Sequence, residues 1–142
     1  MSSKANAQNP TKMALVVHSD MGLLSGFQSA LSENGFVTIV ARDLATALLA
    51  ITHHFFDVAI VSSRLGEGGD GWPLAGVLHL VFPRAFVAVL SPSEPDVLTL
   101  QSAINYGVRE VFLQSHPPQE VVGTVLAQMS GSSEKTRGRR VQ

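Results

Sequence analysis

The chain has 142 residues, enough for one domain with a sizeable core, and 45% of them are hydrophobic, which excludes disorder throughout. Only 15% are charged, and the net charge of −1 hides an acidic body between basic ends: four arginines stand against ten acidic residues over 13–130, which speaks against a nucleic-acid-binding face. There is no cysteine, hence no disulfide or thiolate metal site; the opening MSSKANAQNPTK is unlike a signal peptide, and no apolar run is of membrane-spanning length, so no membrane contact and a cytoplasmic location are expected.

Residues 13–18 (MALVVH) read as a first strand, short, apolar and β-branched. Residues 21–34 place Leu24, Phe27 and Leu31 at helical spacing, and Gly35 supplies a stop. A second strand follows at 36–41 (FVTIVA). Asp43 is suited to cap a helix running to about residue 53, with Ala47, Leu48 and Ile51 inward. Residues 57–62 (DVAIVS) are near-continuously apolar, as a strand covered on both faces should be. After a glycine-rich loop, Pro73 fits the first turn of a third helix reaching about residue 81, which Pro83 ends. Residues 86–91 (FVAVLS) form a fourth strand. Ser93 with Asp96 resembles a capping box, and the helix it opens ends at Gly107. Residues 110–113 (EVFL) form a fifth strand. Beyond Pro117 and Pro118, a last helix turns Val122, Val125, Leu126 and Met129 to one side.

Strands alternating with helices predict an α/β fold, a doubly wound five-stranded parallel sheet with helices on both faces and strand order 2-1-3-4-5. The domain is expected over 13–130, between a disordered N-terminal arm (1–12) and a disordered basic tail (131–142) suited to an acidic partner. In such folds ligands bind at the carboxyl ends of the strands. That rim comprises His18, Ser19 and Asp20, then Ser62 and Ser63, then Ser91, then Gln114 and Ser115.

The stretch DVAIVSSRLGEGGDGW is similar to the third-strand signature of response-regulator receiver domains, in which an Asp five residues after the first takes a phosphoryl group and an Asp-Gly follows. Here Asp57 leads to Ser62, and Asp70 precedes Gly71. VAVLS resembles the fourth strand of that family, and AINYGVREVFLQSHPPQEVV its Ala-Gly-Ala…Tyr-Leu-x-Lys stretch. The resemblance spans about 13–130 and implies a flavodoxin-like receiver fold and two-component signalling. It also exposes departures. The acidic pair that holds a divalent cation corresponds to His18 and Ser19, with only Asp20 following. The acceptor Asp corresponds to Ser62, the lysine to Gln114, and the aromatic that reports activation to Val111. The loop after Ser62 is one residue longer than the family pattern, and only Ser91 matches, at the hydroxyl position. Mg²⁺ needs carboxylate and phosphate oxygens, and phosphoryl transfer depends on charge stabilisation, so the expectation is a pseudo-receiver that is not an enzyme and takes no cofactor and no metal.

A partner protein or a second copy is expected instead, through the second and third helices, which carry almost no charge. Trp72, Ala75, Gly76 and His79 form the candidate interface, opposite a sheet-covering face of Leu74, Val77, Leu78 and Val81. Two other readings stand beside this one: a working phosphorelay receiver using Ser62 or Asp20, and a flavin-type small-molecule binder. The glycines of 66–71 match no phosphate-loop pattern, and HSDMG after the first strand makes a poor flavin phosphate loop. His53 and His54 have no third ligand beside them. No output domain is expected within the chain.

Overall fold

The computed structural model describes residues 11–66 and 69–141, with side chains as far as Gly131. The expected N-terminal arm lies almost wholly outside the described residues. In chain order the elements are β1 (Lys12–Val17), α1 (Met21–Glu33), β2 (Phe36–Ala41), α2 (Leu44–His53), β3 (Val58–Ser62), α3 (Trp72–Val81), β4 (Phe86–Ser91), α4 (Val97–Asn105), β5 (Glu110–Leu113) and α5 (Pro118–Val141). All five strands are parallel, in the order β2-β1-β3-β4-β5, as the alternation of strands and helices predicts.

The strands' period of two divides the core into two layers. Leu15, Val17, Ala59, Val61, Val87 and Val89 face α2 and α3, where Ala47, Ile51, Leu74 and Leu78 meet them. Ala14, Val16, Val58, Ile60, Ala88 and Leu90 face α1 and α5, where Phe27, Leu31, Val122 and Val125 close the opposite layer. Because β1, β3 and β4 are covered on both sides, their sequences show an apolar run instead of alternation.

Local signals set most boundaries. The Asp43 carboxylate accepts from the Thr46 backbone N–H at 2.8 Å and caps α2. Gly35 and Gly107 end α1 and α4 in the left-handed region, at φ +86° and +71°. Asp57 ties β3 to β1 beneath the sheet: its carboxylate and its backbone N–H both bond to Met13, each at 2.8 Å.

Several expectations need correction. The cap of α4 is Asp96, whose carboxylate accepts from Thr99 N–H at 2.8 Å, so Ser93 lies outside the helix. In α2 Ala50 joins Ala47 and Ile51 on the inward face, while Leu48 is substantially exposed. In α5 Val121 joins Val122 and Val125 in the core, and Leu126 and Met129 pack only at its margin. The backbone over 131–141, expected to be a disordered tail, continues α5; it contains no proline to stop a helix.

Candidate functional site

The rim at the carboxyl ends of β1, β3, β4 and β5 gathers His18, Ser62, Ser91 and Gln114, as the topology requires. Each side chain is held by a local bond that follows from where its strand ends.

His18 directly follows β1 and is only 3% exposed. Its backbone N–H donates to Ala41 O at 3.0 Å, which continues the β1–β2 ladder, and its Nδ1 accepts from the Asp20 backbone N–H at 2.9 Å. Nδ1 therefore carries a lone pair, and in the neutral ring the proton sits on Nε2. Nε2 is buried and has no hydrogen-bond partner among the described residues. Burial lowers the pKa of the imidazole below 6.5, opposed by the Gln114 side chain facing it and by the charge of Asp20. No bond to Gln114 closes at Nε2 in this conformation, so Gln114 acts here as a polar neighbour. Ser19 is half-buried, and its carbonyl accepts from Arg42 Nη2 at 3.3 Å.

Asp20 is already employed: its Oδ1 accepts from Leu23 N–H at 3.0 Å and caps α1. Among the described residues no three His, Cys, Asp or Glu side chains cluster as metal ligands would. The donor set of a neutral imidazole, serine hydroxyls and one capping carboxylate does not suit Mg²⁺.

Ser62 ends β3 and is fully buried. Its hydroxyl donates to Arg64 O at 2.7 Å and accepts from Arg64 N–H at 3.2 Å. Beyond it the backbones of Arg64 and Asp70 meet in an isolated antiparallel β-bridge, Leu65 tucks into the core, and Gly71 packs on the Ser62 carbonyl where a Cβ would collide. Ser91 repeats the pattern at the end of β4, donating to Ser93 O at 2.7 Å and accepting from Ser93 N–H at 3.4 Å. Both hydroxyls spend their protons on carbonyls of the following turn, so neither has a base to activate it. At the end of β5, Gln114 N–H donates to Ser91 O at 2.8 Å, and Ser115 is exposed. Val111, half-buried, pairs with Val89 within the sheet.

The expected interface on α3 is covered in part: Trp72 and Gly76 are half-buried and His79 is exposed. Ala75 is fully buried beneath the helix, because its position follows Leu74 onto the core side. Trp72 stacks on Tyr106 with ring centroids 6.3 Å apart. Tyr106 also fills the space left by Gly76, where a Cβ would lie 2.6 Å from its ring, and the His79 ring packs on Gly107. Val81, expected to cover the sheet, is half exposed. Tyr106 thus organises this corner. Its place just before Gly107, where α4 ends, is the sequence signal that marks it.

No family model matches the sequence, and no curated protein matches it. Solved structures do. A response regulator receiver domain protein from Methanospirillum hungatei superposes with a TM-score of 0.76 at 17% identity, covering 87% of this chain and 98% of that one. The signal receiver domain of an HD domain-containing protein from Pseudomonas fluorescens gives 0.72 at 25% identity, over 87% and 98%. A response regulator from Burkholderia pseudomallei, solved with a phosphorylated aspartic acid, a calcium ion and citrate, gives 0.74 at 18%, over 88% and 72%. The chain has the fold of receiver domains, and no helix among the described residues is long and apolar enough to cross a membrane.

Proposed function

We propose that this chain is a receiver-like signalling module of two-component type that has given up phosphoryl transfer and acts by binding protein, without enzymatic turnover. The observation that carries the reading is the state of Ser62. It stands where the resemblance puts the acceptor carboxylate, and it is fully buried with its hydroxyl bonded to Arg64 O. Around it, Asp20 caps α1, His18 is a neutral buried ring and Gln114 carries no charge. A metal-bound phosphoryl group would bring several negative oxygens to this rim, and none of these side chains supplies a positive charge or a free carboxylate to receive it.

The same residues support a site that is stable when empty. A pocket of several carboxylates repels itself without a metal, whereas His18, Ser62 and Ser91 hold the strand ends through neutral hydrogen bonds. The test is the intact mass of the chain after incubation with Mg²⁺ and acetyl phosphate, with thermal unfolding measured alongside. The expected result is an unchanged mass and a melting temperature indifferent to Mg²⁺. A stable adduct on Ser62 or Asp20 would return the chain to phosphotransfer and defeat the reading.

A further inference from the structure

The end of the sheet away from the rim is open on one side. Pro118, the first residue of α5, packs on Gly26 near the middle of α1. From that contact α1 runs only to Glu33, while α5 passes Met129, so α5 overruns α1 by roughly one turn. Gly35 then turns the chain into β2, and a notch of about 480 Å³ remains beneath the starts of β1, β2 and β3. That volume falls within the ~300–1,000 Å³ of small-molecule sites.

Part of the lining is apolar: the buried Phe36 and the half-buried Leu126 and Met129. The rest is polar, and it includes two opposite charges, Lys12 and Asp57. These do not pair with each other. Lys12 Nζ lies over the Phe36 ring, 5.8 Å from its centroid, and Asp57 accepts the Met13 N–H through Oδ2 at 2.8 Å. Asp57 Oδ1 accepts no hydrogen bond among the described residues. Asn34 Nδ2 donates to Ala30 O at 2.8 Å, which leaves its Oδ1 as a second acceptor. The Ser130 hydroxyl gives its proton to Leu126 O at 3.1 Å and keeps its lone pairs. One cationic donor and several oxygen acceptors thus border an apolar wall, and the last carbonyls of α1 add partial negative charge on the Asn34 side.

These groups select by charge balance. A lone cation would meet Lys12 and a lone anion would meet Asp57, whereas one small molecule carrying both signs answers both. We propose that the notch binds a free α-amino acid with an apolar side chain. Its ammonium donates to Asp57 Oδ1 and Asn34 Oδ1, its carboxylate accepts from Lys12 Nζ, and its side chain lies against Phe36, Leu126 and Met129. Charge-assisted bonds at both ends fix its orientation, and the apolar wall sets its side-chain preference. Asp57 stands before β3 and Ser62 ends it, so this site needs nothing from the rim and goes beyond the reading of the rim. An amino acid held there joins the starts of β1 and β3 to the ends of α1 and α5, and it gives the module a small-molecule input.

Calorimetric titration of the full chain with L-leucine, L-methionine and L-phenylalanine tests this, with amide chemical shifts locating the site. At least one should bind with a Kd below about 1 mM and shift the signals of Lys12, Asn34, Asp57 and Met129. Its amide, which lacks the carboxylate, and its N-acetyl derivative, which lacks the ammonium, should each bind at least about 10-fold more weakly. Lys12→Gln and Asp57→Asn, both at exposed positions, should weaken it to the same degree; the asparagine keeps an acceptor for Met13 N–H, so circular dichroism should be unchanged. No binding of the three amino acids at about 10 mM, shifts confined to another part of the molecule, or an affinity indifferent to both variants overturns the proposal. Equal affinity for the N-acetyl derivative overturns it as well, since the ammonium would then go unread.

Discussion

Lowering the pH should loosen the junction of β1 and α1 through His18. Its Nδ1 accepts from Asp20 N–H at 2.9 Å, and a proton there would set two donors face to face in a site only 3% exposed. Burial holds the folded-state pKa below 6.5, against the opposing pull of Gln114 and of the Asp20 charge. In the unfolded chain the ring returns to about 6.5 and takes up its proton first as the pH falls. The stability held by the neutral ring is therefore complete above about pH 6.5 and is lost as the pH drops through the lower folded-state value. Between the two values the decline is at most about 1.4 kcal/mol per pH unit, and the broken buried hydrogen bond sets a scale of about 1–3 kcal/mol for the whole effect. Urea unfolding of the wild type and of His18→Leu, from about pH 8 to about pH 5, isolates this contribution, because the other four histidines are common to both proteins. The gap between the two curves should narrow as the pH falls. A constant gap, or an NMR titration placing His18 at or above 6.5, would refute the reasoning.

Two further substitutions probe the frame around the rim. Ser62→Ala removes both bonds to Arg64 and should lower the unfolding free energy by about 1–3 kcal/mol; a loss below about 0.5 kcal/mol would mean that the turn after β3 does not depend on the hydroxyl. Gly107→Ala forces a side chain into φ +71° and against the His79 ring, at about 1–3 kcal/mol. Combining it with His79→Ala should recover the part due to the ring, and strict additivity in that cycle would show that the contact carries no energy.

The fold was legible wherever the signal is local. Asp43 stands immediately before an apolar helix and caps it, and Gly35 and Gly107 adopt the conformation that only glycine takes freely. The doubly apolar strands declared a two-sided sheet; right-handed connections left few strand orders, and the common one, 2-1-3-4-5, is the order observed. The rim residues were legible for the same reason, since each directly follows or ends a strand. What the rim residues do was not. Asp20 could have been a ligand or a cap, and the start of α1 at Met21 decided for the cap. Ser93 and Asp96 both suit a helix start, and the choice between them is made by where the chain leaves β4. Ala75 was left to the outer face once Leu74, Val77, Leu78 and Val81 were given to the sheet, but α3 buries Ala75 and half exposes Val81, and Tyr106 packs against Gly76, a contact between helices that no helical wheel contains. That Val97, Leu100 and Ile104 of α4 look outward was illegible on the same ground: periodicity shows that a helix has an apolar face, and only its neighbours show which way the face looks.

The central strands β3 and β4, VAIVS and FVAVLS, contain no charge and no proline, and in the folded protein they lie side by side. In an unfolded chain each is a short, sticky, strand-prone window of the kind that stacks into fibres. Parallel neighbours pair only across a long connection, whose closure costs entropy, so these windows wait longer in water than a hairpin would. Asp57 stands directly before the first and Arg84 two residues before the second. Asp57, which ties β3 to β1 in the native sheet, therefore also serves a chain that has not yet folded: with Arg84 it sets opposite charges at the entrances of the two segments that copies of the chain would otherwise share.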